Sequence, residues 1–221
     1  MRKITVAAFV SLDGVMQAPG GPEEDPTDGF RFGGWNFPHW DEVMGEYMDD
    51  GFSRPYDLLL GRKTYDIFAA HWPYAPADDP VAVAFNACTK YVATRSDRPL
   101  TWENTVRLEG DAIAAVRDLK AGDGPDLLTQ GSSDFLQSLL ATDLVDEFRV
   151  MTFPVVLGRG KRLFSDHARP MGLTLSGHNT STTGVSMATY HPDGDVKVGS
   201  FQLNDPSPEE LARRAKMARE R

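Results

Sequence analysis

Short apolar runs alternate along this chain with stretches whose apolar residues recur every third or fourth position, the pattern of strands interleaved with amphipathic helices. The densest instance is Leu127 to Phe164. Leu127 to Gln130 is a short apolar run, Gly131, Ser132 and Ser133 form a turn, and from Asp134 onward Phe135, Leu136, Leu139 and Leu140 hold helical spacing. Glu147 to Val156 then reads as a mostly apolar strand of the kind buried on both faces of a sheet, broken by Gly158 and Gly160 before Leu163 and Phe164. The unit predicted is strand, helix, strand.

The same reading extends in both directions. Strands are predicted at Lys3–Val10, Asp57–Leu60, Lys90–Thr94 and Thr105–Leu108, and helices at His39–Asp50, Arg62–Ala70, Val81–Ala87 and Asp111–Ala121, the last stopped by Gly122. Leu173–Gly177 and Val185–Tyr190 alternate around a turn at Asn179–Gly184 and predict a closing antiparallel hairpin. The fold class is therefore α/β, a mixed, mostly parallel sheet flanked by helices with a C-terminal antiparallel hairpin. Between Val15 and Pro38 lies a long stretch rich in Gly, Pro and acidic residues, with Phe30, Phe32, Trp35 and Phe37 scattered through it. Its aromatics either fold it as a flap over a site or pin it to the surface. Residues 1–203 are expected to form one domain. Residues 204–221 form a basic, helical tail, which either docks on the acidic body or a partner subunit or is a frayed helix.

Composition narrows the partners. A chain with 41% hydrophobic and 25% charged residues can bury a sizeable core, and its formal net charge of -9 argues against nucleic acid. An anionic ligand would need a local cluster of cations. The N-terminal apolar run is broken at Asp13, has no small-residue cleavage site and is too short to span a bilayer, so no membrane association and a cytoplasmic location are expected. Cys88 stands alone, which precludes an internal disulfide, and His39, His71, His167, His178 and His191 are isolated from one another, so no metal site is expected. There is no Gly-x-Gly-x-x-Gly, Walker A loop or Gly-x-Ser-x-Gly elbow.

What remains is a set of anion seats at helix starts, where backbone N–H groups lack intrahelical partners. Gln130-Gly131-Ser132-Ser133 is one. Gly61-Arg62-Lys63-Thr64 is another: Arg62 and Lys63 are either solvated first-turn residues or, because the helix dipole disfavours cations there, partners of an anion. Thr94-Arg95-Ser96, just past a strand end, suits a phosphate monoester.

Several motifs resemble a known family. Ser11-Leu12-Asp13-Gly14, Leu60-Gly61-Arg62-Lys63-Thr64-Tyr65, Gly131-Ser132 before a helix, Leu144-Val145-Asp146-Glu147, and Pro154-Val155-Val156-Leu157-Gly158-Arg159-Gly160 with Leu163-Phe164 occur in this order over about residues 2–191. They resemble the dihydrofolate-reductase-like proteins related to the C-terminal reductase domain of the bacterial riboflavin-pathway deaminase/reductase. The resemblance implies a dihydrofolate-reductase-like three-layer sandwich, NADPH as cofactor, a homodimer, and reduction of a small heteroaromatic molecule: a pterin, a folate-like compound or an aminopyrimidine. The family's own 5-amino-6-(5-phosphoribosylamino)uracil reductase activity is less expected of a domain without its deaminase. The resemblance assigns the pyrophosphate to Gly61–Thr64 and Gln130–Ser133 and the adenosine 2′-phosphate to Thr94, Arg95 and Ser96. Many relatives have Gly-Gly where this chain has Gly131-Ser132, so Ser132 either weakens the site or substitutes a hydroxyl contact. Asp13 and Asp41 are the candidate acids, against a plain turn residue and a first-turn helix charge respectively. Trp40 and Met16 are candidate substrate contacts. The alternative function is a non-catalytic nucleotide-binding or regulatory protein that keeps the fold.

Overall fold

A computed structural model describes residues 1–165, 168–202 and 204–220; His167, Leu203 and Arg221, which entered the metal, domain and tail expectations respectively, lie outside the described residues. Strand β1 (Ile4–Ser11) is the axis of the sheet. Its alternate residues Ile4, Val6, Ala8 and Val10 are buried on one face, while Ala7 and Phe9 point to the other. Both sides of β1 are occupied by later strands, β5 (Asp126–Thr129) and β6 (Glu147–Phe153), each parallel to it. The predicted strand–helix–strand unit is thus a crossover that straddles β1, with Ile4 opposite Leu127 and Thr5 opposite Glu147.

Beyond β5 the sheet continues parallel through β2 (Tyr56–Gly61), β3 (Lys90–Ala93) and β4 (Thr105–Leu108). Beyond β6 it turns antiparallel through β8 (Ser186–Pro192) to β7 (Leu173–Thr180) at the edge, giving the order β4-β3-β2-β5-β1-β6-β8-β7. Helices cover both faces. The even-numbered side of β1 packs with α4 (Ala112–Ala121) and α5 (Ser133–Leu140) through Val116, Phe135, Leu136, Leu139 and Leu140. The opposite face carries α1 (Glu42–Phe52), packed through Val43, Met44, Tyr47 and Met48 against Met151, Phe153 and Met187. It also carries α2 (Arg62–Ala69) and α3 (Pro80–Ala87), packed through Tyr65, Phe68 and Phe85 against Leu58, Leu60 and Leu128. This is the three-layer, dihydrofolate-reductase-like arrangement.

Local chemistry moves several predicted boundaries. The helix predicted from His39 starts at Glu42, because Phe37–His39 forms a 3-10 turn around Pro38 and Asp41 takes the N-cap, accepting the Met44 N–H at 3.0 Å. Asp111 likewise caps α4, accepting the Ala114 N–H at 2.8 Å. Strand β6 stops at Phe153 rather than Val156, since Pro154 has no N–H to give the ladder. The tail forms α6 (Pro208–Arg219), none of whose residues is buried; among the described residues its ion pairs stay within the segment, Arg213 and Arg214 on Glu210 and Lys216 on Glu220. No helix among the described residues is long and apolar enough to cross a membrane.

Candidate functional site

A cleft of about 220 Å³ opens on the α1/α2 face, at the point where the sheet connections diverge on either side of β1. Open α/β sheets bind ligands in such crevices at the strands' carboxyl ends. The floor is β1 and β6: Ala7 sits beside Arg149 and Phe9 beside Met151 on the same face of the pairing. Ala7 has no bulk to oppose Arg149, and the depression follows. Tyr47, Met48 and Gly51 of α1 line one side, and Lys63, Thr64, Ile67 and Phe68 of α2 with Trp72 the other.

One end is made of backbone. The N-termini of α2 and α5 are pressed together: the Gly61 N–H donates to Gly131 O at 3.2 Å, and a Cβ at Gly61 would stand 2.1 Å from Ser132 Oγ and 2.9 Å from Phe135 Cβ. Gly131 has φ +147° and a Cβ there would meet Thr64 Oγ1 at 2.5 Å; the Gly131–Ser132 peptide is cis. The helices α1, α3, α4 and α6 are each capped by a side chain, from Asp41, Asp79, Asp111 and Ser207. Among the described residues α2 and α5 are the α-helices without a side-chain cap, and both start at the cleft wall. Their first-turn N–H groups, with the positive ends of two helix dipoles, are therefore available to an anion.

The other wall is made of side chains from the 15–38 segment. Trp35 Nε1 donates to Gln17 O at 2.8 Å, Gln17 Nε2 donates to Asp25 O at 2.9 Å, and Gln17 Oε1 accepts from the Lys161 N–H at 3.0 Å. Asp25, 6% exposed, accepts from Lys63 Nζ at 2.7 Å, Lys161 Nζ at 2.8 Å and Thr27 Oγ1 at 2.6 Å. Burial works against its charge, but the two ammonium groups and the hydroxyl outweigh it and hold the carboxyl far below the usual range. Burial likewise disfavours the charge of Lys161, and Asp25 overcomes this and raises its pKa. The neighbouring Glu24 is shifted the other way, raised by burial and by the Asp25 charge although the Gly20 and Gly21 N–H groups oppose this. On the α1 side Arg149 lies 4.8 Å above the Tyr47 ring and donates to Asp50 at 3.0 Å. Among the described residues two buried side-chain polar atoms have no hydrogen-bond partner, Asn36 Oδ1 and Trp72 Nε1, and both residues line this cleft.

The structure gathers Met16, Lys63, Thr64, Gln130, Gly131, Ser132 and Ser133 on the cleft surface, with Gly61 packed directly behind Ser132. Arg62 turns away, donating to Asp66 at 2.8 Å and to Arg98 O at 3.0 Å. Thr94, Arg95 and Ser96 lie past the end of β3, outside the cleft lining. Thr94 Oγ1 accepts the Ser96 N–H at 3.0 Å, Ser96 Oγ accepts the Arg98 N–H at 3.2 Å, and Arg95 is exposed with no hydrogen bond or ion pair among the described residues. Asp13 and Asp41 are not on the cleft wall either. Asp13 accepts from Ser11 Oγ at 2.7 Å and from the Leu157 and Gly158 N–H groups at 3.0 and 2.9 Å; burial opposes its charge, and these donors hold the carboxyl below its ordinary value. Asp41 Oδ2 accepts from both the N–H and the hydroxyl of Thr182 at 2.7 Å, which lowers its pKa and ties α1 to the β7–β8 turn. Trp40 stands behind the lining, edge-on to Phe9 at 5.9 Å.

The sequence reading did not single out Glu24, Asp25, Asn36, Tyr47, Arg149 or Lys161 as site residues. Arg149 left a signal, a lone charge inside an apolar strand. The Asp25 contacts left none, since their partners are 38 and 136 residues away.

Over residues 2–187 the sequence matches the family described as the RibD C-terminal domain. The chain belongs to that family. Among curated proteins, the uncharacterized protein YyaP of Bacillus subtilis (strain 168) is 26% identical over 200 residues, covering 87% of this chain and 96% of its own. The uncharacterized protein YwjB of the same organism is 29% identical over 181 residues, covering 80% and 90%. Similar solved structures include a putative riboflavin biosynthesis protein from Shewanella sp. PV-4 (TM-score 0.59, 20% identity, 86% of this chain and 99% of that one). A pyrimidine reductase-like protein from Corynebacterium diphtheriae gives 0.56 at 12% identity, covering 88% and 93%. Dihydrofolate reductase from Enterococcus faecalis, complexed with NADP(H) and RAB-propyl, gives 0.51 at 12% identity, covering 86% and 96%. For a member of the RibD C-terminal domain family these likenesses agree with the observed fold, and membership supports a reductase-type function.

Proposed function

We propose that the protein is an NADPH-dependent reductase of a small heteroaromatic compound. The observation that carries this is the pair of uncapped α-helix N-termini meeting at one cleft when the other four α-helices among the described residues are capped. Two converging helix starts fit a pyrophosphate. Lys63, Thr64, Gly131, Ser132 and Ser133 would hold it, and the unpartnered Arg95 past β3 would pair with a 2′-phosphate. NADPH would supply the hydride. The chain's own part is to hold the acceptor ring over β1, with Phe9, Met16, Met48 and Met151 excluding water from the cleft. The reading takes a small molecule, not nucleic acid, as the partner, and places the reaction in the cytoplasm. It also takes the protein as a homodimer, with the edge strand β7, whose residues are almost all exposed, as the surface for a second copy.

A fluorescence titration with NADPH and NADH tests the cofactor, since Trp35 and Trp72 report from the cleft region. NADPH should bind more tightly, and Arg95→Ala should cost NADPH about tenfold or more while leaving NADH almost unchanged. Equal losses for both would sink the 2′-phosphate assignment. Absence of binding by either would favour a protein that keeps the fold without the reaction.

A further inference from the structure

The Asn36 carboxamide has no task in that account. Asn36 is 3% exposed and lines the cleft, yet neither end of its side chain is hydrogen-bonded among the described residues. Its position is firmly held. The Asn36 carbonyl accepts the His39 N–H at 3.0 Å. The preceding Trp35 is locked by its bond to Gln17 and by an edge-on contact with Phe153 at 5.2 Å. Phe9 and Met151 offer the same space only apolar surface. A buried polar group without a partner is costly, and such groups in native proteins call for an explanation. A second orphan, Trp72 Nε1, lines the same cleft.

We propose that Asn36 is the residue that selects the acceptor ring, by pairing with an edge on which a hydrogen-bond donor and acceptor stand side by side. A carboxamide presents one donor and one acceptor in the same plane, and its complement is a lactam (C=O beside N–H) or an amino-azine (ring N beside NH₂). Quinones and nitroaromatics present acceptors only and leave half of the amide unpaired. The substrate class is thereby narrowed to nitrogen heterocycles with such an edge. This rests on the reductase reading for the role of the ring, but binding to Asn36 does not require reduction.

The test is binding of pterin, 1,3-dimethyllumazine, 2,4-diaminopyrimidine and menadione to the full-length protein by tryptophan fluorescence, without cofactor and again with NADPH. Wild type should bind pterin and diaminopyrimidine, and bind 1,3-dimethyllumazine, a pteridine without any N–H, and menadione at least about tenfold more weakly, because those leave the buried amide unsatisfied. Asn36→Leu should lose about tenfold or more toward pterin, with NADPH affinity unchanged and Tm equal or higher, since it removes an unpaired polar group. Pterin binding undiminished in Asn36→Leu, or 1,3-dimethyllumazine and menadione bound as well as pterin, would overturn the assignment. So would a wild type that binds neither heterocycle, or an Asn36→Leu variant that loses Tm, NADPH and pterin together, as a framework residue would. Pterin bound but NADPH refused would remove the reductase reading and leave Asn36 in place.

Discussion

The cleft has two walls made by different means. At the α2/α5 end the chemistry is backbone: two helix starts, apposed because Gly61 and Gly131 allow nothing between them. At the 15–38 end it is side chain, a lattice in which Gln17, Asp25, Trp35 and Lys161 hold one another. The first wall presents N–H groups whose direction is fixed once the helices form. The second can exchange partners, because Lys63 Nζ, bound to Asp25, also lines the cleft where an anion would sit. One wall is fixed by backbone packing and the other by exchangeable side-chain bonds.

The largest effect should come from breaking the rigid wall. In Gly61→Ala the new methyl meets Ser132 Oγ, the Ser132 N and Phe135 Cβ at 2.1, 3.0 and 2.9 Å. The two helix starts must then separate, at a cost of about 2–3 kcal/mol as for overpacked sites generally. Urea melts should show that loss, and NADPH affinity should fall with it. A variant of unchanged stability and affinity would mean that close approach is not what builds the seat.

Asp25→Asn breaks the other wall. It strips the partner from two lysines around a buried carboxylate, and about 2 kcal/mol should be lost at neutral pH, less than for a fully buried pair because Lys63 is 41% exposed. The pH dependence has a definite sign. The folded pKa of Asp25 lies below the unfolded one, so between them the unfolded chain binds more protons. The stabilisation is complete above about pH 4 and declines as pH falls toward the folded value. Wild type should therefore lose its advantage over Asp25→Asn on acidification. If Lys63 exchanges Asp25 for an anion, the same variant should bind NADPH several-fold more tightly despite being less stable. Weaker NADPH binding would make Asp25 part of the seat instead.

These walls also divide what the sequence discloses. The order of strands and helices was legible because burial on both sheet faces and helical spacing are local patterns, and so were the two helix starts that meet at the cleft, written in contiguous Gly61–Thr64 and Gln130–Ser133. The 15–38 segment was legible only as a long aromatic, acidic loop. Its working contacts join positions far apart in the chain, and no spacing rule connects Asp25 to Lys161. The same limit explains Asp13 and Asp41: an Asp before Gly and an Asp before a helix are visible, but the Leu157, Gly158 and Thr182 donors that engage them are not.

Glu24 offers a smaller and opposite test of the side-chain wall. Its pKa is raised, so between the unfolded and folded values the native state binds more protons, and the penalty grows as pH rises until the group is fully ionised. Glu24→Gln should raise Tm by a few degrees at pH 7 or above, with the gain fading toward pH 4. A gain independent of pH would show that the carboxyl is not strained by its surroundings.

The smallest effect is expected at Asp41, which belongs to neither wall. Asp41 Oδ1 caps α1 and Oδ2 receives the Thr182 N–H and hydroxyl, so Asp41→Asn keeps the shape while weakening charge-assisted bonds at an exposed helix start. Asn is itself a good N-cap, which confines the change in Tm to a degree or two. A group that delivered a proton to the substrate would behave differently: its amide would depress kcat and remove an ionisation from the pH profile of kcat/KM. With the carboxylate turned to the β7–β8 hairpin and off the cleft lining, the profile of Asp41→Asn should superimpose on that of the wild type. A lost limb in that profile would return Asp41 to the chemistry, and would require the hairpin turn to release it when substrate binds.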